Sequence, residues 1–340
     1  MKNGLLFAIV LGVLVSCTSN QTAEVRLSGP TMGSSYNITY LDREARNFGP
    51  QIDSLLLVFN EVFSTYDSSS VISYFNQSDT GIALIGESLQ WFRELMQATD
   101  SVYQASSGAF NPALGPLISF WGFYDKAQSL QILPDSAELD SLLKISRYEN
   151  ITLQQQFLLK SVPQSRLDVN AIAPGFACDI LGNYLEAQGV ENYIVEIGGE
   201  IRARGANGSG KPWSVGIRIP EELSDELAST IRLANRSLAT SGNYNKYIVV
   251  DGRKLGHTID AVNGVPAVNS LLSTTTVTDL GIYADAYATA CLALGLEKAK
   301  ELVNATEGLE AYLLYADENN QLKSWYSEGL KPYLNEAGKE

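Results

Sequence analysis

Asp285 and Thr289 stand four residues apart in a stretch whose periodicity predicts a helix, so a carboxylate and a hydroxyl share one face, a turn apart. Hard oxygen donors of this kind suit Mg2+, which takes one or two protein oxygens and completes its octahedron with water and substrate phosphates. Two readings compete for the pair: a metal site, or a surface aspartate beside a threonine bonded back to its own helix. Ala284, Ala286, Ala288 and Ala290 give that helix a small face that would let a ligand approach. A second group is His257 with Asp260, in Leu255-Gly256-His257-Thr258-Ile259-Asp260. An imidazole with an ordinary pKa of about 6.5 suits proton transfer near neutrality, and the carboxylate is the other candidate base. Residues three apart on an extended strand face opposite sides, so the two share a site only if the strand ends or bends between them. A purely structural histidine is the alternative. Asp168, ahead of Val169-Asn170-Ala171-Ile172-Ala173-Pro174-Gly175, either caps the following helix or accepts a hydrogen bond from a ligand. Glycine clusters at Thr31-Met32-Gly33, Gly108-Ala109-Phe110-Asn111-Pro112, Glu196-Ile197-Gly198-Gly199-Glu200 and Thr240-Ser241-Gly242-Asn243-Tyr244 could bring backbone close to a bulky ligand. Each alone reads as a turn or bulge, and none is a Rossmann fingerprint or a Walker loop.

These residues need elements to hold them. Glu24 to Leu41 alternates like a strand pair around Gly29-Pro30 and Gly33. Ile52, Leu55, Leu56, Phe59, Val62 and Phe63 repeat at three- and four-residue spacing, as an amphipathic helix does. Leu89 to Tyr103 predicts a second helix, ending before Gly108, and Pro174 to Gln188 a third, with Pro in its first turn and Gly189 just past its end. Ile282 to Leu294 predicts a fourth, stopped by Gly295, with Glu297 to Asn304 continuing in helical register. Strand signals run through Tyr193 to Arg204 and Trp213 to Ile219. Hairpins are expected at Tyr247 to Ile259 around Asp251-Gly252, and at Ala311 to Tyr326. The pattern is α+β with antiparallel pairing, without the strand-helix alternation of a doubly wound sheet.

Composition narrows the chemistry. The 340 residues include 24 Lys and Arg against 38 Asp and Glu, a formal charge of -14, with one histidine. Such a surface repels nucleic acid, whose binding depends on neutralising phosphates, and one histidine excludes any two-histidine metal site. A phosphate ligand would have to bring positive charge with it. With 45% hydrophobic and 18% charged residues the chain is globular. At the N-terminus Lys2 precedes an apolar run from Gly4 to Val15, too short to span a bilayer and the length of a signal-peptide core. It ends in Leu14-Val15-Ser16-Cys17, which resembles a bacterial lipobox. The expected organisation is a signal peptide over 1–16, a lipidated tether over 17–24 beginning at Cys17, and one domain over 25–335. The other reading of the N-terminus is a secretory peptide with a chance cysteine. Cys178 and Cys291 read as core residues.

In order along the chain, Thr31-Met32-Gly33, Phe63-Ser64-Thr65-Tyr66, Ile72-Ser73 with Phe75-Asn76, Gly108-Ala109-Phe110-Asn111-Pro112 with Gly115-Pro116-Leu117 and Trp121-Gly122-Phe123, Asp168 to Asp179, Val195 to Ile201, Ala239-Thr240-Ser241-Gly242, His257-Thr258-Ile259-Asp260 and Ala284-Asp285-Ala286 to Thr289-Ala290 resemble the ApbE-like family of FAD:protein FMN transferases. The resemblance covers about residues 25 to 330. It implies an ApbE/T-fold-like α+β architecture, antiparallel sheets with packed helices and an FAD cleft between two lobes. It implies transfer of FMN from FAD, with Mg2+, to a Thr or Ser hydroxyl of a partner protein through a phosphoester, releasing AMP. By motif position, Met32, Tyr66, Ala109, Phe110, Asn111, Asp168, Pro174 and Ile259 would line the FAD site, with Tyr66 and Phe110 able to pack against a flavin or adenine ring. The Ala171 carbonyl, Asp285 and Thr289 would hold the metal, and His257 or Asp260 would activate the acceptor hydroxyl. Pro174 stands where Lys, Glu or Gln is usual, Asn111 replaces a common Asp, and Ala261-Val262-Asn263 replaces a Pro-x-Thr run. The acceptor expected from the resemblance is a membrane redox-pump subunit, and the setting a bacterial inner-membrane lipoprotein facing the periplasm. An Mg2+-dependent FAD pyrophosphatase, a non-catalytic flavin-binding lipoprotein and a tyrosine-rich carbohydrate-binding lipoprotein, the last suggested by 17 Tyr, are the alternatives.

Overall fold

The computed structural model describes residues 22–123, 134–220, 226–243, 247–250 and 252–336. Cys17, Tyr244 and Asp251 lie outside them. β1 (Ala23–Thr31) and β2 (Ser34–Asp42) form a hairpin turned at Met32-Gly33, where φ is 50° and 70°. Two successive positive φ values make the turn whose twist matches that of its strands. Pro30 is tolerated because β1 is an edge strand. Next come α1 (Gly49–Phe63), α2 (Val71–Gln77), β3 (Gly81–Ala83), α3 (Gly86–Ala105), α4 (Gly115–Phe120), α5 (Ser136–Ile145), β4 (Ile151–Gln154), β5 (Phe157–Lys160) and α6 (Ala173–Ala187). The chain continues through β6 (Tyr193–Ile197), β7 (Glu200–Arg204), β8 (Trp213–Arg218), β9 (Leu227–Leu233), β10 (Arg236–Gly242), β11 (Tyr247–Val250) and β12 (Arg253–Gly256). It closes with β13 (Ile259–Asp260), β14 (Val265–Pro266), β15 (Leu271–Thr278), α7 (Gly281–Leu294), α8 (Leu296–Ala305), β16 (Glu310–Ala316), β17 (Leu322–Tyr326) and β18 (Leu334–Glu336).

The spine is an eight-stranded antiparallel sheet in the order β1-β2-β6-β7-β10-β15-β16-β17. Alternation along β2 and β6 points Tyr36, Ile38, Tyr40, Tyr193, Val195 and Ile197 into the main core. The helices meet them there, with Phe59, Phe63, Trp91, Phe92 and Phe176 in edge and tilted ring contacts. On the opposite face Ile201, Leu238, Val277 and Leu314 pack with Trp213, Ile217 and Ile231, which come from the smaller β8-β9-β18 sheet. A third cluster joins Leu114, Leu117 and Trp121 of the α4 region to Ile248, Val250 and Ile259. This makes a second, smaller body beside the sheet. The expected α+β class with antiparallel sheets and packed helices is what the chain adopts.

Two local expectations change. The outgoing strand after Gly252 ends at Gly256; His257 sits in a bend, and Ile259–Asp260 pairs anew with Val265–Pro266. Thr240-Ser241-Gly242 is no turn but the end of β10, paired with Thr275, Thr274 and Ser273 of β15.

Candidate active site

α7 is gripped by the strand beneath it. Thr274, Thr276 and Thr278 alternate on one face of β15 and donate their hydroxyls to the carbonyls of Ala288 (2.6 Å), Ala284 (2.5 Å) and Leu280 (2.6 Å). The match is geometric, because two strand residues advance ~6.7 Å and four helix residues ~6.0 Å. The alanines make the close approach possible. Ala284, Ala286, Ala288 and Ala290 are fully buried, and Ala284 and Ala288 pack on Ala239 of β10. Their small size therefore serves the seating of the helix and not the entry of a ligand, which corrects the expectation from sequence. At the start of α7 the Asp179 carboxylate accepts from the N–H groups of Gly281 (2.8 Å) and Ile282 (2.9 Å), and Arg202 holds Asp179 from β7.

With the helix fixed, Asp285 and Thr289 face the junction of α6, β7 and β10. Asp285 is buried, and its Oδ2 accepts the Gly175 N–H at 3.0 Å. Gly175 is required there: a Cβ would collide with the Gly281 carbonyl and come within 2.7 Å of the Asp285 Cβ. In a helix that began one turn earlier the same N–H would bond to the Ala171 carbonyl. Giving it to Asp285 instead leaves that carbonyl open to another partner. Thr289 Oγ1 lies 3.0 Å from Ser241 Oγ at the end of β10. Burial pushes the Asp285 carboxyl up to about 7, against the lowering effect of the Gly175 bond. Burial also raises Glu200 well above the carboxylate range, and the Asp285 charge adds to it. Neither carboxylate has an ion-pair partner among the described residues. The buried Asp285 and the half-buried Glu200, neither ion-paired among the described residues, with a hydroxyl one turn along and an open carbonyl, make a donor set of the hard type that suits Mg2+. No three His, Cys, Asp or Glu side chains gather as a metal site among the described residues.

Asp168 lies on the approach to α6. Its N–H donates to Pro112 (2.7 Å), and Asn76 brackets the preceding residue, accepting from Leu167 N–H (2.8 Å) and donating to the Leu167 carbonyl (2.9 Å). The Phe75-Asn76 motif thus anchors the segment that carries the aspartate. Asp168 does not cap α6; its Oδ1 accepts the Asn170 N–H at 2.9 Å and shapes the turn before the helix. The Tyr66 pKa is raised by partial burial and, secondarily, by the Asp168 charge. The Tyr66 ring is 73% exposed and borders a cavity of about 320 Å3 with Thr65, Asn76, Ser119, Arg166 and Leu167.

The other expected FAD residues divide by what they can offer. Met32 occupies the β1–β2 turn and is partly packed on the core. Phe110 is only 2% exposed within the core, so its ring cannot stack on a ligand and only its backbone, with that of Ala109, is available. Asn111 is committed to its own loop, donating to the Ser146 carbonyl (3.0 Å) and accepting from Ala113 N–H (2.8 Å). Pro174, in the first turn of α6, adds no polar group. Ile259 is buried in the small cluster with Leu117 and Trp121.

The strand is interrupted at His257, between the end of β12 and the start of β13, so the alternation that would set His257 opposite Asp260 does not run through. Gly256, just before His257, lies against Asn243, two residues beyond Ser241, and β13 packs near α7. Asp260 is engaged locally: its carboxylate accepts from Val262 N–H (2.8 Å), Asn263 N–H (3.3 Å) and Asn263 Nδ2 (2.6 Å). Trp121 Nε1 pins the same loop through the Gly264 carbonyl at 2.8 Å. Sequence reasoning passed over Ser241, Glu200 and Gly175 as site residues. The first two stood in glycine clusters, so the signal was visible, but only the packing of α6 and α7 shows that Ser241 meets Thr289 and that Glu200 feels the Asp285 charge.

The ApbE family profile matches residues 32–313. The chain is 32% identical over 340 residues to the FAD:protein FMN transferase of Vibrio cholerae, covering 98% of this chain and 99% of that one. It is 30% identical over 316 residues to the FAD:protein FMN transferase of Escherichia coli K12, covering 91% and 88%. Among solved structures it is similar to the flavin transferase ApbE from Vibrio cholerae, with a TM-score of 0.81 at 30% identity over 92% of this chain and 99% of the other. The apo flavinyl transferase ApbE of Pseudomonas stutzeri gives 0.80 at 28%, over 92% and 97%. The chain belongs to the ApbE family.

Proposed function

We propose that this chain transfers FMN from FAD to a Thr or Ser hydroxyl of a partner protein, releasing AMP. The observation that carries the reading is the buried, unneutralised Asp285 held one turn from Thr289, in a chain whose relatives are named for this reaction. The acceptor oxygen forms a bond to the FMN phosphorus, the bond from that phosphorus to the bridging oxygen breaks, and its electron pair leaves with AMP. His257, at the bend beside the end of β10, is the residue for the hydroxyl proton. Asp260 shapes the loop next to it, since its lone pairs already serve three local donors. The exposed Tyr66 ring offers a flat surface for one ring of the dinucleotide beside a cavity lined mostly by polar residues, with Asp168 as an acceptor nearby. Met32, Ala109, Phe110, Asn111, Pro174 and Ile259 would contribute mainly backbone and shape.

Asp285, Thr289 and the Ala171 carbonyl fit Mg2+. The ion, when bound, would neutralise the diphosphate and make its phosphorus a better electrophile. The chain's own part is to keep these oxygens in place through the grip of β15 on α7 and through the Gly175 bond. No helix of the described residues is long and apolar enough to cross a membrane. The Leu14 to Cys17 sequence supports a lipid anchor at Cys17 with the domain facing the periplasm, and the family resemblance supports a membrane redox-pump subunit as acceptor.

The test is incubation with FAD, Mg2+ and a candidate acceptor domain, followed by flavin fluorescence on a denaturing gel. Fluorescence carried by the acceptor supports transfer. Free FMN and AMP with an unlabelled acceptor would make the chain a pyrophosphatase, and no turnover would make it a flavin-binding protein.

A further inference from the structure

A threonine hydroxyl has one proton and two lone pairs, so it can serve a cation only if its proton is directed elsewhere. Within a helix the ordinary recipient is the carbonyl four residues back, which for Thr289 belongs to Asp285. Here Ser241 Oγ, 3.0 Å from Thr289 Oγ1, offers a different acceptor from the neighbouring strand. We propose that Ser241 is a positioning residue: it takes the Thr289 proton and thereby turns the Thr289 lone pairs toward the side on which Asp285 lies. The inference rests on the reading of Asp285 and Thr289 as metal ligands and adds to it a residue outside that ligand set.

The surroundings separate this role from general packing. The axial position of α7 is set by Thr274, Thr276 and Thr278 on β15 and by Asp179 at its first turn, none of which involves Ser241. Ser241 alternates on β10 with Ala239, which packs on Ala284 and Ala288, so its side chain faces the helix. β10 is held there by its own pairing, with Ser241 opposite Thr274 and Thr240 Oγ1 2.8 Å from Thr275 Oγ1. Losing the Ser241 hydroxyl therefore leaves the helix where it is and frees only the direction of the Thr289 hydroxyl, which then falls back on the Asp285 carbonyl.

The probe is Mn2+ as a stand-in for Mg2+, titrated by electron paramagnetic resonance into the full chain without FAD, so that binding is read apart from turnover. Ser241→Ala is expected to weaken Mn2+ about tenfold, the size of effect found for groups that orient a metal ligand, while its melting temperature stays close to wild type. Ser241→Thr, which keeps a hydroxyl on a strand, is expected to restore binding. In a Thr289→Val background Ser241→Ala should cost nothing more, because the group it orients is gone. Asp285→Ala is the reference and should lose the site. Wild-type affinity in Ser241→Ala, no rescue by Ser241→Thr, or additive losses in the double variant would overturn the inference while leaving the metal site standing. Undiminished Mn2+ binding in Asp285→Ala would remove both.

Discussion

Replacing Gly175 with Ala tests whether the crossing of α6 and α7 holds the site together. The added Cβ would meet the Gly281 carbonyl and the Asp285 Cβ, so backbone atoms stand on one side and an immobilised side chain on the other. No rotamer change relieves that overlap, and the helices must part by roughly 1 Å at the crossing. Overpacking of this kind costs about 1–3 kcal/mol, and the upper end applies where the obstacle is backbone. The same movement stretches the bond from the Gly175 N–H to the Asp285 carboxylate, and a hydrogen bond to a charged group contributes about 1.5–3 kcal/mol. The alanine returns up to about 1 kcal/mol through backbone entropy. The net expectation is a loss of about 3–5 kcal/mol, a fall in melting temperature of roughly 4–7 °C for a chain of this size, and weaker metal binding. Urea unfolding and Mn2+ titration of Gly175→Ala read both. Gly208→Ala is the control, since its Cβ would meet only a Glu24 oxygen at 3.3 Å. A Gly175→Ala variant that melts and binds Mn2+ like the control would refute the argument.

Two further outcomes follow from charge and burial. Arg46 donates to both oxygens of buried Asp42 and holds its carboxyl down at about 2, from an ordinary value of 3.8. A carboxylate whose folded pKa lies below its unfolded one stabilises the fold above the unfolded value and loses that contribution as pH falls through the folded one. The difference in unfolding free energy between wild type and Asp42→Asn should therefore shrink between about pH 4 and pH 2; a constant difference across that range would contradict the pairing. Cys178 and Cys291 are buried, and burial raises both thiols, Cys291 to about 12. Peptide mapping after treatment with a thiol reagent should find both unlabelled in the native chain and labelled in urea, whereas rapid native labelling of either would place it outside the core.

What could be read from the sequence was whatever repeats with a clean period. α1, α3, α6 and α7 carry helical spacing along one face or end on glycine, and β6–β7, β11–β12 and β16–β17 alternate around turn residues. β15 escaped because Leu271 to Thr278 is buried along nearly its whole length while rich in Ser and Thr, which reads from sequence as a polar loop. Its threonines are satisfied by carbonyls of α7, a partner no local pattern reveals. The same blindness misassigned the alanines of α7, because a small face looks alike whether it admits a ligand or a strand. Asp285, Thr289 and Asp168 could be singled out by residue type and spacing, each beside a structural alternative, and the roles expected of them came from the family resemblance. Glu200 and Ser241 needed the fold, since their relevance comes from which way a strand turns them. Phe110 shows the converse, an aromatic in the right motif whose ring the core has taken.

The central claim is that Asp285 belongs to a site that joins FMN to another protein. The most direct measurement is the intact mass of a purified acceptor domain after incubation with FAD, Mg2+ and either the wild-type chain or Asp285→Ala, with circular dichroism to establish that the variant is folded. One added FMN, joined with loss of water, is expected in the wild-type reaction and unmodified acceptor with Asp285→Ala. An acceptor carrying FMN at the wild-type rate in the Asp285→Ala reaction would contradict that claim.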